Sequence, residues 1–517
     1  MMRVLVRVDA SALLGTGHVA RCLALADELK SRGHQVTFVM RSLPGHLIAE
    51  TRAQGFEVFS LADSFADVAL TQAAWITMTS TQGTQLLDAS QTLQSLPHRF
   101  WDWAVVDHYA LGADWQLAIG GAVQEILAID DLADRPLQCD ALLNQNLGAA
   151  AARYVGLIPP PCQVLLGPYF ALLRSEFSTF TPNRLVRGTA FSTPRILVSL
   201  GGIDAEGYTL RVLHALGQCG LRGDAIIVVA GAQNPHFLAL QKQCDALGYT
   251  LLRSTQAMAE LMAQSDWAVG AGGVSLLERC VVGLPSIAIA IAPNQQPGVA
   301  AANAQGAVLA LDSQAPGFES SLRQAIQAML TFPVRLQAMS QAGLALCDAK
   351  GAARVADVLQ AGAITLRSAK LEDSEELHVW RNAPETRKYS GDDQAIGLEQ
   401  HKRWLRGVLA DSERRLWIAS IVSGPIGVLR FDCCPTSSGT VAEISVYGVP
   451  GRTGRNWGKA LITRGVQEAQ VAWPSLRLID ARISGDNLAS LQAFAACGFG
   501  ASAMPGRYQK NLEKGSL

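Results

Sequence analysis

The feature of this 517-residue chain that most restricts its fold is a recurrence of short segments that are apolar on both faces. "RVLVRVD", "VTFVM", "WAVVD", "ILAID" and "ALLN" follow one another between residues 3 and 144, each separated from the next by a longer stretch with helical spacing. After a proline-bearing break come "RILVSL", "AIIVVA", "WAVG" and "SIAIAI". A strand that is apolar throughout must be covered on both sides, and a parallel sheet layered between helices does that. Two such series predict two Rossmann-type domains, residues 1–180 and 190–350. The break between them is placed near 177–193, where "FSTFTPNRLVRGTAFST" is rich in Ser, Thr, Pro and Arg and has no periodicity.

A different pattern starts at "ITLRSAKLEDSEELHVWRNA". There Asp373-x-x-Glu376 has the form of a capping box, which predicts a helix directly after a strand. From Arg414 onward "RRLWIASI", "GPIGVLRFD" and "VAEISVYGV" read as antiparallel strands with turn signals between them. Residues 363–517 are therefore expected to form an α+β domain, reached through an Ala-rich segment, 349–363, that reads as helix.

Composition narrows the ligands. With 49% hydrophobic and 17% charged residues the chain is expected to be globular, and its net charge of -1, with both signs interspersed, speaks against a nucleic-acid or polybasic membrane surface. The ten cysteines are scattered, with no C-x-x-C and no histidine cluster, so no metal site is expected and the thiols fit a reducing, cytoplasmic setting. "MMRVLVRVDAS" is too short and too charged for a signal segment, and no run reaches the ~18 apolar residues of a spanning helix. Small molecules are the expected partners.

In doubly wound sheets such molecules bind beyond the carboxyl ends of the strands. Asp9–Ser11, Asp107–Tyr109, Asp130–Asp131 and Asn144–Asn146 occupy those ends and are expected to converge on one crevice. The first strand runs into "GTGHVARC": Gly15 and Gly17 allow a close backbone approach, and the helix that follows offers free amides to an anion. His18, at that positive end, reads either as a neutral imidazole acting as general base or as a capping and packing residue. In the second series Gly201–Gly202 ("SLGGIDAEG") and Gly272–Gly273 ("GAGGVSLLERC") follow strands. The helix opening at Val274–Ser275, with Glu278 one turn on, offers amides for a diphosphate and a carboxylate for ribose hydroxyls; tight strand–helix packing is the other reading.

Taken in order, "RVDAS…GTGHVARCLALA", "VVDHY", "IDDLADR…CDALLNQN", "LLGPYFALLRSEF", "LVSLGG" and "GAGGVSLLERCVVGLPSIAIA…NQ" resemble the UDP-2,4-diacetamido-2,4,6-trideoxy-β-L-altropyranose hydrolases of bacterial pseudaminic acid biosynthesis. The resemblance covers residues 1 to about 350. It implies a GT-B-like pair of Rossmann-type domains and a metal-independent, inverting hydrolysis, in which His18 activates water for attack at the anomeric carbon and UDP leaves by C–O cleavage. It also implies that Asn294, in the "NQ" pair, faces the sugar; Gln295 of that pair and Tyr109 at its strand end are further substrate-binding candidates, and Asp9 either orients His18 or binds sugar hydroxyls. Arg21 stays open between substrate contact and a helix-surface ion pair. Where the family usually reads Ser-Thr-x-Trp-Glu, this chain has Val274-Ser275-Leu276-Leu277-Glu278, which keeps the glutamate and changes the hydroxyl contacts.

The last domain resembles the GNAT acetyltransferases. "AEISVYGV" leads into "PGRTGRNWGKALI", on which the pyrophosphate fingerprint Arg/Gln-x-x-Gly-x-Gly/Ala fits as Arg455-x-x-Gly458-x-Ala460 or, shifted, as Thr453-x-x-Asn456-x-Gly458. With Lys459 and Asn487 these residues would hold acetyl-CoA. The run Asn487-x-x-Ser490-x-x-x-Phe494-x-x-x-Gly498-Phe499 is spaced as in that family, with phenylalanine where many members carry the tyrosine that protonates the departing thiolate. Water, Tyr447, Tyr508 or a cysteine would have to replace it, or the domain does not turn over. Glu443 is the candidate base, its alternative an ordinary exposed carboxylate. "VWRNAPETRKYS…LEQHKRWLRG" resembles the amino-sugar acetyltransferase of the same pathway, with Trp380 and Trp404 either stacking on the acceptor or packing in the core. The resemblances imply N-acetylation of a UDP-4-amino sugar followed by removal of UDP. The competing reading is a GT-B glycosyltransferase carrying a non-catalytic CoA-binding or scaffolding domain.

Overall fold

A computed structural model describes residues 1–62, 76–77, 79–98, 100–160, 162–179, 194–231, 234–390, 394–421, 424–436, 439–452 and 457–512. The chain divides into two compact units. One comprises Arg3–Ser31 and Gln35–Val355, the other Ala356–Leu517 with Met1–Met2 and Arg32–His34.

The larger unit contains two parallel sheets. The first is built from β1 (Arg3–Val8), β2 (Gln35–Arg41), β3 (Glu57–Leu61), β4 (Trp101–Asp107), β5 (Val123–Ile129), β6 (Ala141–Asn144) and β7 (Gln163–Leu166), in the order β3-β2-β1-β4-β5-β6-β7. The second comprises β8 (Ile196–Ser199), β9 (Ile226–Ala230), β10 (Thr250–Arg253), β11 (Trp267–Ala271), β12 (Ser286–Ala290) and β13 (Val308–Asp312), in the order β10-β9-β8-β11-β12-β13. This is an α/β, GT-B-like pair of Rossmann-type domains. Both faces of each sheet are covered, as the doubly apolar strands require: Leu5, Ala104, Val106 and Leu142 lie in one core cluster of the first sheet, and Val198, Val228, Val269 and Ile289 in one of the second.

The strand orders position the functional residues. In each sheet the chain starts at the centre, winds outward to one edge, then crosses back to continue beside its first strand, which creates a switch point between β1 and β4 and another between β8 and β11. Loops leaving the carboxyl ends of such neighbours diverge and open a crevice. The loop after β1 leads into α1 (Gly17–Ser31), and that after β11 into α2 (Val274–Val281).

Of the break expected at 177–193, residues 180–193 lie outside the described residues. The segment expected to be helical before the last domain is a helix, Gly351–Gly362.

The smaller unit carries a mixed sheet in the order β14-β15-β16-β17-β18-β20-β19, formed by β14 (Thr365–Ser368), β15 (Arg414–Ile421), β16 (Gly424–Thr436), β17 (Gly439–Gly448), β18 (Leu476–Arg482), β19 (Gly500–Ala501) and β20 (Arg507–Asn511). β15, β16 and β17 pair antiparallel, whereas β17 and β18 run parallel and pair only as far as Ile444 and Ala481. Past that point Ser445–Gly448 stay paired to β16 alone, so the sheet opens on one side.

The capping box expected at Asp373 and Glu376 is corrected. Asp373 has no side-chain bond into the helix Ser374–Asn382; its carboxylate accepts from the Lys370 amide at 2.7 Å and pairs with Arg367. Asp373 serves the turn before instead, because the strand ends at Ser368 and a short turn, Leu371–Asp373, intervenes; Lys370 at its start has no side-chain acceptor, so no reciprocal box forms there. Among the described residues no helix is long and apolar enough to cross a membrane.

Candidate active site

At the first switch point β1 turns through Ser11–Gly15, closed by the Gly15 amide donating to the Ser11 carbonyl at 2.9 Å, with Gly15 at φ +81°. This left-handed turn brings Gly17 and His18 to the start of α1. His18 is buried, and its Nδ1 lies 2.5 Å from Oδ1 of Asp107, the last residue of β4. An ionised carboxylate only accepts, so this contact puts the proton on Nδ1 and leaves the Nε2 lone pair available. Arg21, one turn along α1, grips the same carboxylate through Nε at 2.6 Å and Nη2 at 2.7 Å, and Cys22 Sγ approaches it at 3.6 Å. Burial would raise the Asp107 carboxyl, but Arg21 and His18 outweigh it and hold the group well below the usual carboxylate range. Arg21 is thus an interior ion pair, not a helix-surface one.

Tyr109 stands edge-on to His18, ring centroids 4.5 Å apart. Burial and the Asp131 carboxylate push its phenol far above the ordinary range. Asp131 accepts from Asn146 Nδ2 at 3.3 Å on one oxygen and lies 3.7 Å from Arg21 Nη1. Its other oxygen, Oδ1, is buried and meets no hydrogen-bond geometry among the described residues, although the Tyr109 hydroxyl lies close enough for the carboxylate to raise its pKa. Asn294, from the loop after β12, donates to the Tyr109 hydroxyl at 3.2 Å, so the sugar-facing residues expected from the two sheets meet within the larger unit.

Asp9 does not orient His18, and this corrects one of its two expected roles. It is chelated by Arg7 at 2.6 and 2.9 Å, accepts from the Arg41 amide at 2.7 Å and contacts His108 Nε2 at 3.2 Å. Neighbouring residues on a strand point to opposite faces, and Asp107 is level with Val8 in the β1–β4 register. Asp9 therefore shares a face with Arg7, where Asp88 binds Arg7 at 2.7 and 3.0 Å, while Asp107 faces α1. Its carboxylate is held by these partners and is 2% exposed, which leaves little of it for sugar hydroxyls.

The second switch point presents the glycine turns. Gly201 has φ +98°, and a Cβ on Gly202 would come within 3.0 Å of Thr16 Oγ1, so the turns after β1 and β8 lie against each other. Gln295 Oε1 accepts from the Gly272 amide and the Ile291 amide, both at 3.2 Å, which fixes the Gly272–Gly273 turn; Gln295 is thus a brace for that turn. Ser275 sits in the first turn of α2 and accepts from Arg279 at 3.3 Å. Glu278 is paired with Arg174 at 3.2 Å, and burial raises its pKa.

In the smaller unit, Glu443 lies on β17 one residue short of the opening, where it is still paired to β18, and its carboxylate contacts Arg507 at 3.2 Å. Of the expected pyrophosphate residues, Arg455 and Asn456 lie outside the described residues. Gly458 and Ala460 are in the first turn of α3 (Trp457–Ala472), the helix after β17. Lys459, expected at the acetyl-CoA site, pairs through Nζ with Asp357. Asn487 accepts from the Ser490 amide at 3.1 Å and caps α4 (Leu488–Ala496). Phe494 is buried edge-on against Phe499, centroids 4.9 Å apart. Tyr447, on the opened end of β17, is half-buried near Arg381 and Arg430; desolvation, only partly offset by these cations, raises its phenol. Trp380 packs against the core cluster of Leu377 and Leu405, and Trp404 is partly exposed.

Residues 363–500 match the family model of the acetyltransferase (GNAT) domain. This part of the chain is a GNAT domain. Two curated relatives align with a portion of the chain. The spore coat polysaccharide biosynthesis protein SpsG of Bacillus subtilis is 28% identical over 224 residues, covering 43% of this chain and 64% of SpsG, so the chain spans a little under two thirds of that relative. The UDP-2,4-diacetamido-2,4,6-trideoxy-beta-L-altropyranose hydrolase of Campylobacter jejuni is 28% identical over 242 residues, 47% of this chain and 74% of that enzyme. Among solved structures, MurG of Acinetobacter baumannii superposes on 70% of this chain and 99% of its own, at TM-score 0.47 and 16% identity. The protein joins a region similar to a nucleotide-sugar hydrolase to a GNAT domain.

Proposed function

We propose that the chain is a bifunctional nucleotide-sugar enzyme of pseudaminic acid biosynthesis, acting in the cytoplasm. Its GNAT domain transfers the acetyl group of acetyl-CoA to the 4-amino group of a UDP-4-amino sugar. Its larger unit then hydrolyses UDP-2,4-diacetamido-2,4,6-trideoxy-β-L-altropyranose to the free sugar and UDP. The observation that carries the hydrolase half is the buried Asp107–His18 pair at the mouth of the first glycine turn, with no hydrogen-bond partner on Nε2 among the described residues.

Nε2 takes a proton from water as the water oxygen bonds to the anomeric carbon. The bond from that carbon to the diphosphate oxygen breaks on the opposite face, and UDP leaves with the electron pair, which inverts the centre. Asp107 holds the imidazole and balances the imidazolium. Asn294, Tyr109 and Oδ1 of Asp131 face the sugar, with Oδ1 accepting from an acetamido N–H or a hydroxyl. The amides of the Gly201–Gly202 and Gly272–Gly273 turns and of α2, with Ser275, receive the diphosphate, and Glu278 the ribose. UDP is a good leaving group, so the site has mainly to position and deprotonate the water and to stabilise the diphosphate.

In the GNAT domain the free amine attacks the thioester carbonyl and the C–S bond breaks. Glu443, directly or through water, takes the amine proton, and the thiolate is protonated by Tyr447 or water because Phe494 has no proton to give. The amides that open α3, with Gly458 and Ala460, hold the pyrophosphate, and Lys459 and Asn487 contribute to acetyl-CoA binding.

The deciding experiment offers the full-length protein the UDP-4-amino sugar with and without acetyl-CoA and follows CoA and UDP together. Release of both with acetyl-CoA, and of neither without it, is expected. UDP released only from chemically acetylated substrate would leave the GNAT domain as a binding module. No UDP from either substrate would overturn the hydrolase reading.

A further inference from the structure

Arg279 lies beneath the Gly270–Gly273 turn at 2% exposure. Its Nη2 donates to the Ala271 carbonyl at 2.8 Å, Nη1 to Ser275 Oγ at 3.3 Å and Nε to Ser286 Oγ at 3.1 Å. All three acceptors are neutral. The other arginines buried to this degree among the described residues, Arg7, Arg21 and Arg41, each hold a carboxylate: Asp9 and Asp88, Asp107, and Asp88 again. Among the described residues no carboxylate lies within ion-pair distance of Arg279, and the adjacent Glu278 is taken by Arg174. Burial draws the Arg279 pKa down to about 10, which still leaves a cation at neutral pH.

A buried charge held only by neutral acceptors, with Glu278 acting on it through space and not in contact, is costly in a medium of low dielectric, which leaves room for a further counter-charge. The backbone makes room for the arginine. A side chain at Gly270 would collide with the guanidinium, and the groups it holds, Ala271 and Ser275, flank the Gly272–Gly273 turn on either side. The Ser275 oxygen that accepts from Arg279 keeps its own hydrogen to donate elsewhere.

Resting on the diphosphate-binding reading of this turn, we propose that Arg279 is the built-in counter-charge of the nucleotide's diphosphate. It acts from below as a positioning residue, through Ser275 and the turn, and contributes in proportion to the charge the ligand brings.

The test is calorimetric titration of the full chain and of its Arg279→Met and Arg279→Lys variants with uridine, UMP and UDP. In Arg279→Met, UDP affinity falls roughly tenfold or more, UMP affinity falls less, and uridine binds as to wild type. Arg279→Lys regains most of the UDP affinity. Equal losses for all three ligands would make Arg279 a structural support, and unchanged UDP affinity would remove its role; either overturns the proposal. A wild-type chain that binds no UDP overturns the diphosphate reading itself, a result distinct from both.

Discussion

Asp107 gathers two bonds from Arg21, one from His18 and the Cys22 thiol, and its charge fixes the His18 tautomer. Asparagine can keep the shape but offers an N–H where the imidazole needs an acceptor. Asp107→Asn is expected to lower kcat for UDP release by about 10²- to 10⁴-fold while KM stays within about threefold, read from initial rates. Asp88 has a different part, binding Arg7, Arg41 and the Trp115 indole. Burial raises its carboxyl, but Arg7 leads the groups that bring it to about 2, from an ordinary 3.8. A depressed pKa stabilises the fold above the unfolded value and is lost as pH falls toward the folded one. Between about pH 4 and pH 2, wild-type stability should therefore fall more steeply than that of Asp88→Asn. The variant itself, which removes a carboxylate shared by the buried Arg7 and Arg41, should start about 3 kcal/mol less stable in urea titrations at pH 7. At this scale the sequence marks His18, Tyr109 and Asn294 by type and position. It does not say whether Asp9 or Asp107 meets His18, because that depends on which face of the sheet each occupies, and parity across β1 and β4 exists only once their register is set.

Every strand of the larger unit singled out from the sequence as an apolar run lies inside its sheet, and the four not singled out, β3, β7, β10 and β13, lie at the edges. Edge strands are covered less completely, so selection for apolar residues at all positions lapses; β10 and β13 are largely half-exposed along their length. Fold class was legible from interior strands alone, and the sheet widths were not. The capping box at Asp373 went astray for a similar reason, since an acidic residue near a helix start serves whichever turn its backbone reaches. Asn487 shows an element end whose role is separable. Asn487→Ala should cost about 1 kcal/mol by thermal melting through loss of the α4 cap, and the accompanying change in acetyl-CoA affinity reports whether the side chain also reaches the cofactor.

For the whole molecule, two compact units imply that each ligand stabilises its own part. At a hundredfold excess over its Kd, UDP adds about 2.7 kcal/mol to the state that binds it. Amide exchange followed by mass spectrometry is expected to show slower exchange within Arg3–Ser31 and Gln35–Val355 on adding UDP, and within Ala356–Leu517 on adding acetyl-CoA; the reverse pattern would contradict the assignment of the two substrates. The chain also carries a constraint on its own variation. Because the guanidinium of Arg279 fills the space a side chain at Gly270 would need, any residue but glycine there would force the guanidinium off its three acceptors, so a change at one position bears directly on the other.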